Sequence, residues 1–354
     1  MRLVVTGASG NVGTALLRRL ATSEHDLVAV ARRPPPPVAP YDRARWLSAD
    51  LSEPRSEAVL AEAVRGADAV VHLAWGFQPS HDVGYLERLG VGGTRRVAQA
   101  VLEAGVPHLV HMSSVGAYSA KRDDARVVES WPTQGLATSA YSRHKAAAER
   151  VLDMVETEAA APVVTRLRPG LIGQALAGSE LLRYGLPPAV PAAVLRHLPL
   201  LPLDRRLTVP VVHADDVAEA IVRALERRAE GAFNLAAEPP VTADMGAQAL
   251  GARIVPVPAK ALSLLAQASW YAHLQPVDRG WVDLAYGVPL LDCSRAREVL
   301  GWQPTRDAEQ VLHDTLGGMV EALSGRSPVL RPRRVVSELA RWLRRGRISE
   351  RRLP

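Results

Sequence analysis

The sequence predicts an α/β protein built on a doubly wound parallel sheet, with a smaller, interleaved C-terminal region. In the first 167 residues, short apolar runs alternate with helical segments, which is typical of βαβ units. The runs are nearly continuous in apolar residues, as expected for strands that are covered on both faces. After Gly170 proline becomes frequent and the alternation is lost, which marks a second region.

The elements follow one another along the chain in this pattern. The predicted strands are the apolar runs at about 2–6, 27–31, 45–48, 68–73, 108–113 and 163–167. The predicted helices fill the gaps, at 11–22, 55–65, 84–104 and 138–158. The Pro-rich segment 184–210 is expected to form a lid or pocket wall. The strand VVH, a helix capped by Asp215 or Asp216, and the strand GAFNLAAE are expected to rejoin the sheet.

Composition and charge limit the class of protein. The 354 residues are 47% apolar and 23% charged, which is ordinary for a soluble globular protein. The formal net charge is +6, but the segment from residue 325 onward holds 10 Arg and two Glu, so the remainder nets −2. A near-neutral body argues against nucleic-acid binding.

The start of the chain and its few metal-binding residue types give further expectations. A strand from residue 2 leaves no room for a signal peptide, and no apolar run is long enough to span a bilayer, so we expect a cytoplasmic protein. The single Cys293 is expected to be a small buried residue. His108 and His111 lie three apart on a strand and face opposite sides, so no metal site is predicted.

The first loop has the pattern of a phosphate-binding turn. In TGASGNVG, three glycines stand between the first strand and the first helix. They let the backbone approach a pyrophosphate, whose charge is favoured by the N–H groups and dipole of the helix N-terminus. A glycine-rich turn without a ligand is the alternative. The predicted cofactor-binding residues of this loop are Gly7, Ser9, Gly10, Asn11, Val12 and Gly13.

The ends of the second and third strands bear on the choice of dinucleotide. In AVARRP no acidic residue follows the second strand, whereas Arg32 and Arg33 could form bidentate bonds with a 2′-phosphate. This favours NADP, with NAD as the alternative because arginine is abundant throughout the chain. Asp50 and Leu51 suit the edge and the face of an adenine, or else a helix N-cap region.

The segment YSRHK predicts an acid/base pair. Tyr141 and Lys145 are four residues apart on a predicted helix, so they share one face, with Cβ atoms about 6 Å apart. A nearby ammonium favours the phenolate, which makes a Tyr usable as a general acid/base. The chain has 40 Arg and only three Lys, so a Lys here indicates a compact charge that reaches both the phenol and a cofactor ribose. A solvated helix face is the alternative.

Ser114 follows the fifth strand, at the edge where a doubly wound sheet binds ligands, and its hydroxyl could bond a substrate oxygen. With this residue, the chain resembles the extended short-chain dehydrogenase/reductases, the NAD(P)-dependent epimerase/dehydratase family. The resemblance covers roughly residues 1–320, through TGASGNVG, VVHLA, GGTRRV, HMSSVGAYS, YSRHK, LRPGLIG, VHADDVAEA and DCSRAREVLGWQPT. It implies a Rossmann fold, hydride transfer between a substrate carbon and nicotinamide C4, and these functional residues: Ser114, Tyr141 and Lys145 as catalytic, with Leu73, Ala74, Lys145 and Pro169 at the cofactor.

The sequence departs from the family pattern at three places. Gly90 stands in GVGGT where the family commonly has Asn. Val115 and Gly116 follow Ser114 where sugar 4,6-dehydratases carry Asp-Glu, so that elimination chemistry lacks its acid and base. Trp75 follows HLA where a small residue is more usual, and its ring is expected to narrow the nicotinamide pocket, to stack on substrate or to pack against the lid.

Together these features predict two regions, each built from two stretches of the chain. Residues 1–167 and about 205–237 are expected to form an NAD(P)-binding domain, and residues about 168–204 and 238–324 a substrate-binding region. We expect an NAD(P)-dependent oxidoreductase or epimerase that acts on a secondary alcohol or ketone. A nucleotide-sugar epimerase and a non-catalytic dinucleotide-binding sensor or scaffold are the alternatives. The small-molecule substrate is a carbonyl compound or a nucleotide sugar, whose diphosphate could be bound by Arg183, Arg196, Arg205 and Arg206.

The last part of the chain, 325–354, is predicted to be a basic amphipathic tail. Apolar residues recur at helical spacing from Val335 to Leu343, with arginines between them. Such a stripe could contact an acidic membrane surface or a protein partner, or close over the protein's own body. Assembly as a homodimer is a further expectation left open by the sequence.

Overall fold

A computed structural model describes residues 1–77, 79–186, 190–275 and 277–333. The strands are β1 (Arg2–Thr6), β2 (Asp26–Ala31), β3 (Arg45–Ser48), β4 (Ala69–His72), β5 (His108–Met112), β6 (Arg126–Val127), β7 (Val163–Pro169), β8 (Leu171–Gly173), β9 (Leu200–Leu203), β10 (Thr208–Val209), β11 (Val211–His213), β12 (Gly231–Leu235), β13 (Val241–Thr242), β14 (Arg253–Pro256) and β15 (Leu290–Leu291).

The α-helices are α1 (Asn11–Arg19), α2 (Ser56–Val64), α3 (Val83–Glu87), α4 (Gly93–Glu103), α5 (Ala140–Glu156), α6 (Gly178–Gly185), α7 (Ala214–Arg227), α8 (Ala243–Ala249), α9 (Ala259–Tyr271), α10 (Arg279–Gly287), α11 (Ser294–Leu300) and α12 (Ala308–Val320). A π-helical segment, Arg88–Gly92, joins α3 to α4.

The main sheet has seven strands in the order β12-β7-β5-β4-β1-β2-β3, and every neighbouring pair is parallel. Alternate residues of β1 face opposite sides: Leu3 and Val5 belong to one buried apolar cluster, and Val4 belongs to the other. Both faces of the sheet are therefore covered, and the predicted doubly wound fold is confirmed. The strand order reverses between β1 and β4, which is where such sheets open a crevice for ligands.

The helix predicted at 84–104 is interrupted. The chain is α-helical at Val83–Glu87, π-helical at Arg88–Gly92 and α-helical again from Gly93. A Cβ built on Gly90 would lie 2.9 Å from Cη2 of Trp75, so the backbone here packs directly on an indole. The break coincides with a tertiary contact to the loop after β4, which the periodicity of the sequence does not encode.

The predicted return of later segments to the sheet is correct for one strand and wrong for another. β12 (GAFNL) joins the main sheet beside β7. β11 (VVH) instead pairs with β8 in a separate two-stranded sheet. The chain leaves the main sheet after β7, where the N–H of Leu171 donates to the carbonyl of Pro210, 2.8 Å away. β8 and β11 therefore form their own pair.

The cap of α7 also differs from the prediction. His213 is the N-cap residue, and its Nδ1 accepts a hydrogen bond from the backbone N–H of Asp215 at 3.1 Å. The Asp216 carboxylate is buried and accepts from the N–H of Thr305 at 2.9 Å, so it anchors the loop before α12. A tertiary contact thus uses the carboxylate that local pattern assigns to a cap.

Three residues singled out by the sequence are buried in the fold. Burial raises the pKa of the Cys293 thiol to about 12, as suits a small core residue. His108 bonds to the Thr165 hydroxyl at 2.8 Å, and His111 packs against the ring of His72.

The described helices include none that combines the length and apolar character needed to cross a bilayer.

The segment 325–333, here called the C-terminal strap, packs against the first loop. The Ser327 hydroxyl donates to the carbonyl of Ser9 at 2.7 Å, and Leu330 is fully buried. The Arg183 guanidinium donates to the carbonyls of Val329 and Arg331. The predicted tail therefore begins with a docked segment, whereas the stripe from Val335 to Leu343 lies outside the described residues.

Candidate active site

A cavity of about 450 Å³ runs along the carboxyl edge of the sheet. It is lined by these predicted site residues: Gly7, Ser9, Gly10, Asn11, Val12, Gly13, Arg32, Asp50, Leu51, Leu73, Ala74, Ser114, Tyr141, Lys145 and Pro169. Arg33 is the exception, because it is exposed and is not a lining residue. Of the two consecutive arginines only Arg32 lines the cavity. The cofactor-binding role predicted for Arg33 stays a prediction, which the matched variants below test.

The first loop has the shape of an anion-binding turn. Gly7 has φ +70°, and a Cβ built on it would lie 2.5 Å from the backbone nitrogen of Ala74, so only glycine fits. α1 begins after Gly10 without a side-chain cap, which leaves the N–H groups of its first turn without a side-chain acceptor. These features fit the pyrophosphate of a dinucleotide, which the loop could hold through N–H groups and the helix dipole.

Arg32, the first residue after β2, interacts with two neighbouring side chains at the cavity wall. It donates to the Tyr85 hydroxyl at 2.8 Å and lies 3.8 Å from the Asp50 carboxylate. Asp50 itself accepts from the N–H of Ser52 at 3.0 Å, and α2 begins only at Ser56. Asp50 is therefore not the N-cap of α2, and its carboxylate lies beside Arg32 at the cavity wall.

Tyr141 lies in the first turn of α5 among three aromatic rings. Its ring centroid is 5.3 Å from Phe77, 5.3 Å from Trp281 and 6.3 Å from Trp75. Burial raises the pKa of Tyr141 to about 12, and a hydrogen bond with Ser114 only partly opposes this. The expectation that Lys145 lowers this pKa is thus corrected for the protein without cofactor, because burial dominates.

Lys145 is buried one helical turn further along α5, with 2% of its surface exposed. Its ammonium donates to the carbonyl of Met112 at 2.8 Å and lies 3.6 Å from the ring centroid of Trp75. Burial lowers the pKa of Lys145 to about 7, while the charge of Glu149 acts in the opposite direction. The ammonium therefore meets an indole face that the sequence had not paired with it.

Ser114 and the glycine after it shape the space around the phenol. The Ser114 hydroxyl oxygen accepts from the N–H of Gly116 at 3.0 Å. A Cβ built on Gly116 would lie 2.8 Å from Cε1 of Tyr141. A Glu at this position, as in the sugar 4,6-dehydratases, would displace the Tyr141 ring.

Behind the cavity, Glu149 joins α5 to β7 and to the residue that follows β5, a feature that the sequence did not predict. Its carboxylate accepts two hydrogen bonds from Arg168 and one from Arg166, each at 2.9 Å, and one from Ser113 at 2.5 Å. Burial opposes ionisation, but these donors outweigh it and lower the pKa of Glu149 to about 2. The available signal was an acidic residue on the apolar face of α5 and two arginines in the strand RLRP.

The cavity wall near Tyr141 is aromatic and aliphatic. Its residues beyond the predicted set include Trp75, Phe77, Leu181, Trp281, Leu284 and Val288. Within the described ranges, the charged residues that line the cavity are Arg32, Asp50, Lys145 and Glu180. Of the described part of the Pro-rich segment 184–210, only Tyr184 and Val209 contribute, so this segment forms a pocket wall at its two ends alone.

The four arginines proposed for a diphosphate do not line the cavity. Arg183 donates to strap carbonyls, Arg196 is exposed, Arg205 pairs with Asp244 at 2.8 Å, and Arg206 pairs with Asp204 at 2.6 Å. Among the residues that the structure describes, the substrate side of the cavity thus has no guanidinium for a diphosphate.

Comparison with known proteins gives one family match. The model of the NAD dependent epimerase/dehydratase family matches residues 3–236. Among solved structures, UDP-glucose 4-epimerase from Thermotoga maritima with UDP-glucose is similar in fold, with a TM-score of 0.68 and 19% identity. The match covers 91% of this chain and 100% of that chain.

Two curated relatives are similar in sequence. An uncharacterised protein of Mycobacterium tuberculosis is 28% identical over 316 residues, which is 89% of this chain but 29% of that protein. The chain therefore spans less than a third of that relative's length. L-arabinose 1-dehydrogenase (NAD(P)(+)) of Haloferax volcanii is 34% identical over 113 residues, 32% of this chain and 41% of that protein.

Proposed function

Because the chain belongs to the NAD-dependent epimerase/dehydratase family, we propose that it is an NAD(P)-dependent oxidoreductase acting on a secondary alcohol or ketone. The observation that carries the proposal is one cavity that is lined both by the glycine-rich first loop, here called the phosphate loop, and by Ser114, Tyr141 and Lys145. A non-catalytic sensor would need the loop but not an acid/base pair in the same cavity.

In the proposed reaction, a nicotinamide dinucleotide held by the first loop and Arg32 would supply hydride to, or accept it from, the substrate carbon. Tyr141 transfers the hydroxyl proton, and Ser114 hydrogen-bonds the substrate oxygen. With a pKa of about 12, Tyr141 is protonated at neutral pH and so can donate to a carbonyl oxygen. In reduction the carbonyl carbon accepts the hydride and its oxygen accepts the Tyr141 proton, which yields the alcohol.

We propose a neutral, apolar substrate. The walls near Tyr141 are aromatic and aliphatic, and the basic residues that line the cavity in the described part of the chain are Arg32 and Lys145. A diphosphate bound among these walls would lose its hydration without gaining a guanidinium partner, at a cost of several kcal/mol for a buried unpaired charge, to order of magnitude. An apolar ketone loses no charged hydration there.

The substrate class is tested with two matched sets of compounds. We expect purified protein with NADPH to reduce apolar ketones and to leave UDP- and dTDP-sugars unchanged, as followed by nicotinamide absorbance and by chromatography of the sugars. Epimerisation of a nucleotide sugar would contradict the proposed substrate class. Cofactor binding without turnover of either set would contradict the proposed function and favour a sensor.

For the cofactor we propose a preference for NADP that depends on Arg32. In the Arg32→Asp variant the affinity for NADPH should fall about 10- to 100-fold, because a charge-assisted bond to the 2′-phosphate is lost and replaced by repulsion. The affinity for NADH should change little. Isothermal titration calorimetry with both nucleotides measures the two dissociation constants.

Arg33→Asp is the matched control, since it makes the same charge change at the adjacent, exposed residue outside the cavity. Its effect on NADPH affinity should be within about threefold at physiological salt, because exposed charges are screened. No preference for NADPH in the parent protein, or equal losses in the two variants, would overturn the role given to Arg32.

A further inference from the structure

Trp75 occupies the space between a glycine and the buried lysine. On one side, a Cβ at Gly90 would lie 2.9 Å from its Cη2 and 3.0 Å from its Cζ2. On the other side, the Lys145 ammonium lies 3.6 Å from the ring centroid. The sequence departs from its family pattern at both Gly90 and Trp75. These two residues are in contact, so the two departures belong to one packing arrangement.

The π-helical segment Arg88–Gly92 belongs to this packing arrangement. A π-turn shifts the backbone of a helix locally, and such turns are frequent at functional sites. Here the segment presents the bare backbone of Gly90 to the indole. Any larger residue at 90 would push Trp75 out of its present place, so the glycine provides the space that the ring needs.

The surroundings of Lys145 leave its charge poorly compensated. Met112 accepts one hydrogen bond through its carbonyl, and none of the described carboxylates forms an ion pair with the ammonium. Glu149, one turn along α5, acts on it through its charge but is itself bonded to two arginines. His72 on β4 and His111 on β5 also face it.

Burial lowers the pKa of His72 to about 3 and holds that of His111 well below its ordinary value, with the charge of Lys145 contributing to both. The two imidazoles are therefore neutral at neutral pH and do not change charge in the range in which Lys145 titrates. Tyr141 is likewise a neutral phenol there. Among the described groups that contact the ammonium, the carbonyl of Met112 and the face of Trp75 thus provide the electrostatic attraction, and Trp75 is the side chain that does so.

We propose that Trp75 is a positioning residue: its indole face holds the Lys145 ammonium in the charged form at the cavity wall, one helical turn from Tyr141, and Gly90 makes room for that ring. The catalytic meaning of this contact rests on the proposed function, whereas the contact itself is a property of the protein without substrate. A buried cation over a tryptophan face is stabilised more strongly than an exposed one.

The small number of lysines permits a direct test. The parent and its variants are produced with lysine labelled at the ε-carbon with ¹³C, and Lys121, Lys145 and Lys260 give the three lysine signals. The signals of Lys121 and Lys260 are assigned by replacing each with Arg, which leaves Lys145 by elimination. Titration of its chemical shift then reports the pKa of Lys145 without substrate, cofactor or turnover.

In Trp75→Leu we expect the pKa of Lys145 to fall by about one pH unit, because the apolar side chain keeps the site dry but removes the π face. Trp75→Phe retains a π face, so the pKa of Lys145 should fall by no more than about half as much as in Trp75→Leu. Gly90→Ala should displace the indole and lower the pKa in the same direction as Trp75→Leu.

Trp281→Leu is the matched control, since it removes an indole that contacts Tyr141 in the same cavity and leaves the Trp75 contact intact. Its Lys145 signal should titrate as in the parent. An unchanged or raised pKa in Trp75→Leu would overturn the proposal, and so would an equal fall in Trp281→Leu. Circular dichroism and thermal unfolding verify that each variant is folded.

The outcomes separate this proposal from the proposed function. If the pKa of Lys145 falls in Trp75→Leu but the parent reduces no ketone, the contact stands and the oxidoreductase assignment fails. If the parent is active and the pKa does not move, the assignment stands and the role of Trp75 fails. If the parent is active and the pKa of Lys145 also falls in Trp75→Leu, the pH profile of activity should shift as well. The part of the profile that reports Lys145 ionisation should move in this variant by the same amount as the pKa measured by titration.

Discussion

Tyr141→Phe should lower the turnover number of the proposed reaction by at least about 100-fold, because it removes the proton donor and leaves the aromatic ring in place. The rings of Phe77, Trp281 and Trp75 keep their contacts with the phenyl group. Cofactor affinity should stay within about twofold, since the hydroxyl bonds to Ser114 and not to the phosphate loop. Steady-state kinetics and calorimetry measure the two effects.

Tyr286→Phe provides the control for removing a phenolic hydroxyl. Its hydroxyl accepts from the N–H of Asp204 at 3.1 Å, and the residue does not line the cavity. We expect parent-like turnover from this variant. Full activity in Tyr141→Phe would remove the catalytic role from Tyr141.

Glu149→Gln should lower the free energy of unfolding by about 3 to 5 kcal/mol at neutral pH, because it leaves the buried charge of Arg168 without the carboxylate that pairs with it. Arg166 keeps its ion pairs with Asp153 and Glu156. The substitution keeps the shape of the side chain, so the effect reports charge and not a cavity. Urea unfolding followed by circular dichroism measures it. A loss below about 1 kcal/mol would contradict the structural role given to this carboxylate.

The pH dependence of stability gives a second readout of the same group. The pKa of Glu149 in the folded protein is about 2, below its ordinary value of 4.5, so the folded state favours the ionised carboxylate. Its contribution is fully present above pH 4.5 and is lost as the pH falls towards about 2. Glu149→Gln should lack this part of the acid slope.

Glu62→Gln is the matched surface control. Glu62 pairs with Arg45 at 3.0 Å, but about half of each side chain is exposed. Exposed pairs contribute about 0 to 1 kcal/mol, so this variant should keep both the stability and the acid slope of the parent.

The parts of the fold that were predictable from sequence are those fixed by local pattern. The apolar runs of the first 167 residues predicted six of the seven main-sheet strands, because strands covered on both faces need such runs. The π-helical break at Arg88–Gly92 was not predicted, and it lies where Gly90 packs on Trp75, a tertiary contact that periodicity does not encode. The separate β8–β11 pair likewise depends on where the chain goes after Pro169.

In the candidate site, too, residues with a local sequence pattern were predictable and residues brought in by tertiary contacts were not. Glycine spacing and YxxxK spacing placed Gly7, Tyr141 and Lys145 on one cavity because sheet topology brings strand ends together. Phe77 and Trp281 carry no local signal, since they reach Tyr141 from a loop and a helix distant in sequence. The high pKa of Tyr141 was also unpredictable, because it comes from burial among those rings.

The C-terminal strap has a consequence for the order in which the protein is completed. The bond between Ser327 and Ser9 joins residues 318 positions apart, so the first loop reaches its final surroundings only after nearly all of the described chain has been synthesised. The N-terminal βαβ unit is local in sequence, yet its loop depends on one of the longest-range contacts in the molecule. Closing so long a loop costs chain entropy, and contacts of this kind slow folding. Until residue 327 has been synthesised, a nascent chain lacks the strap contact at the first loop.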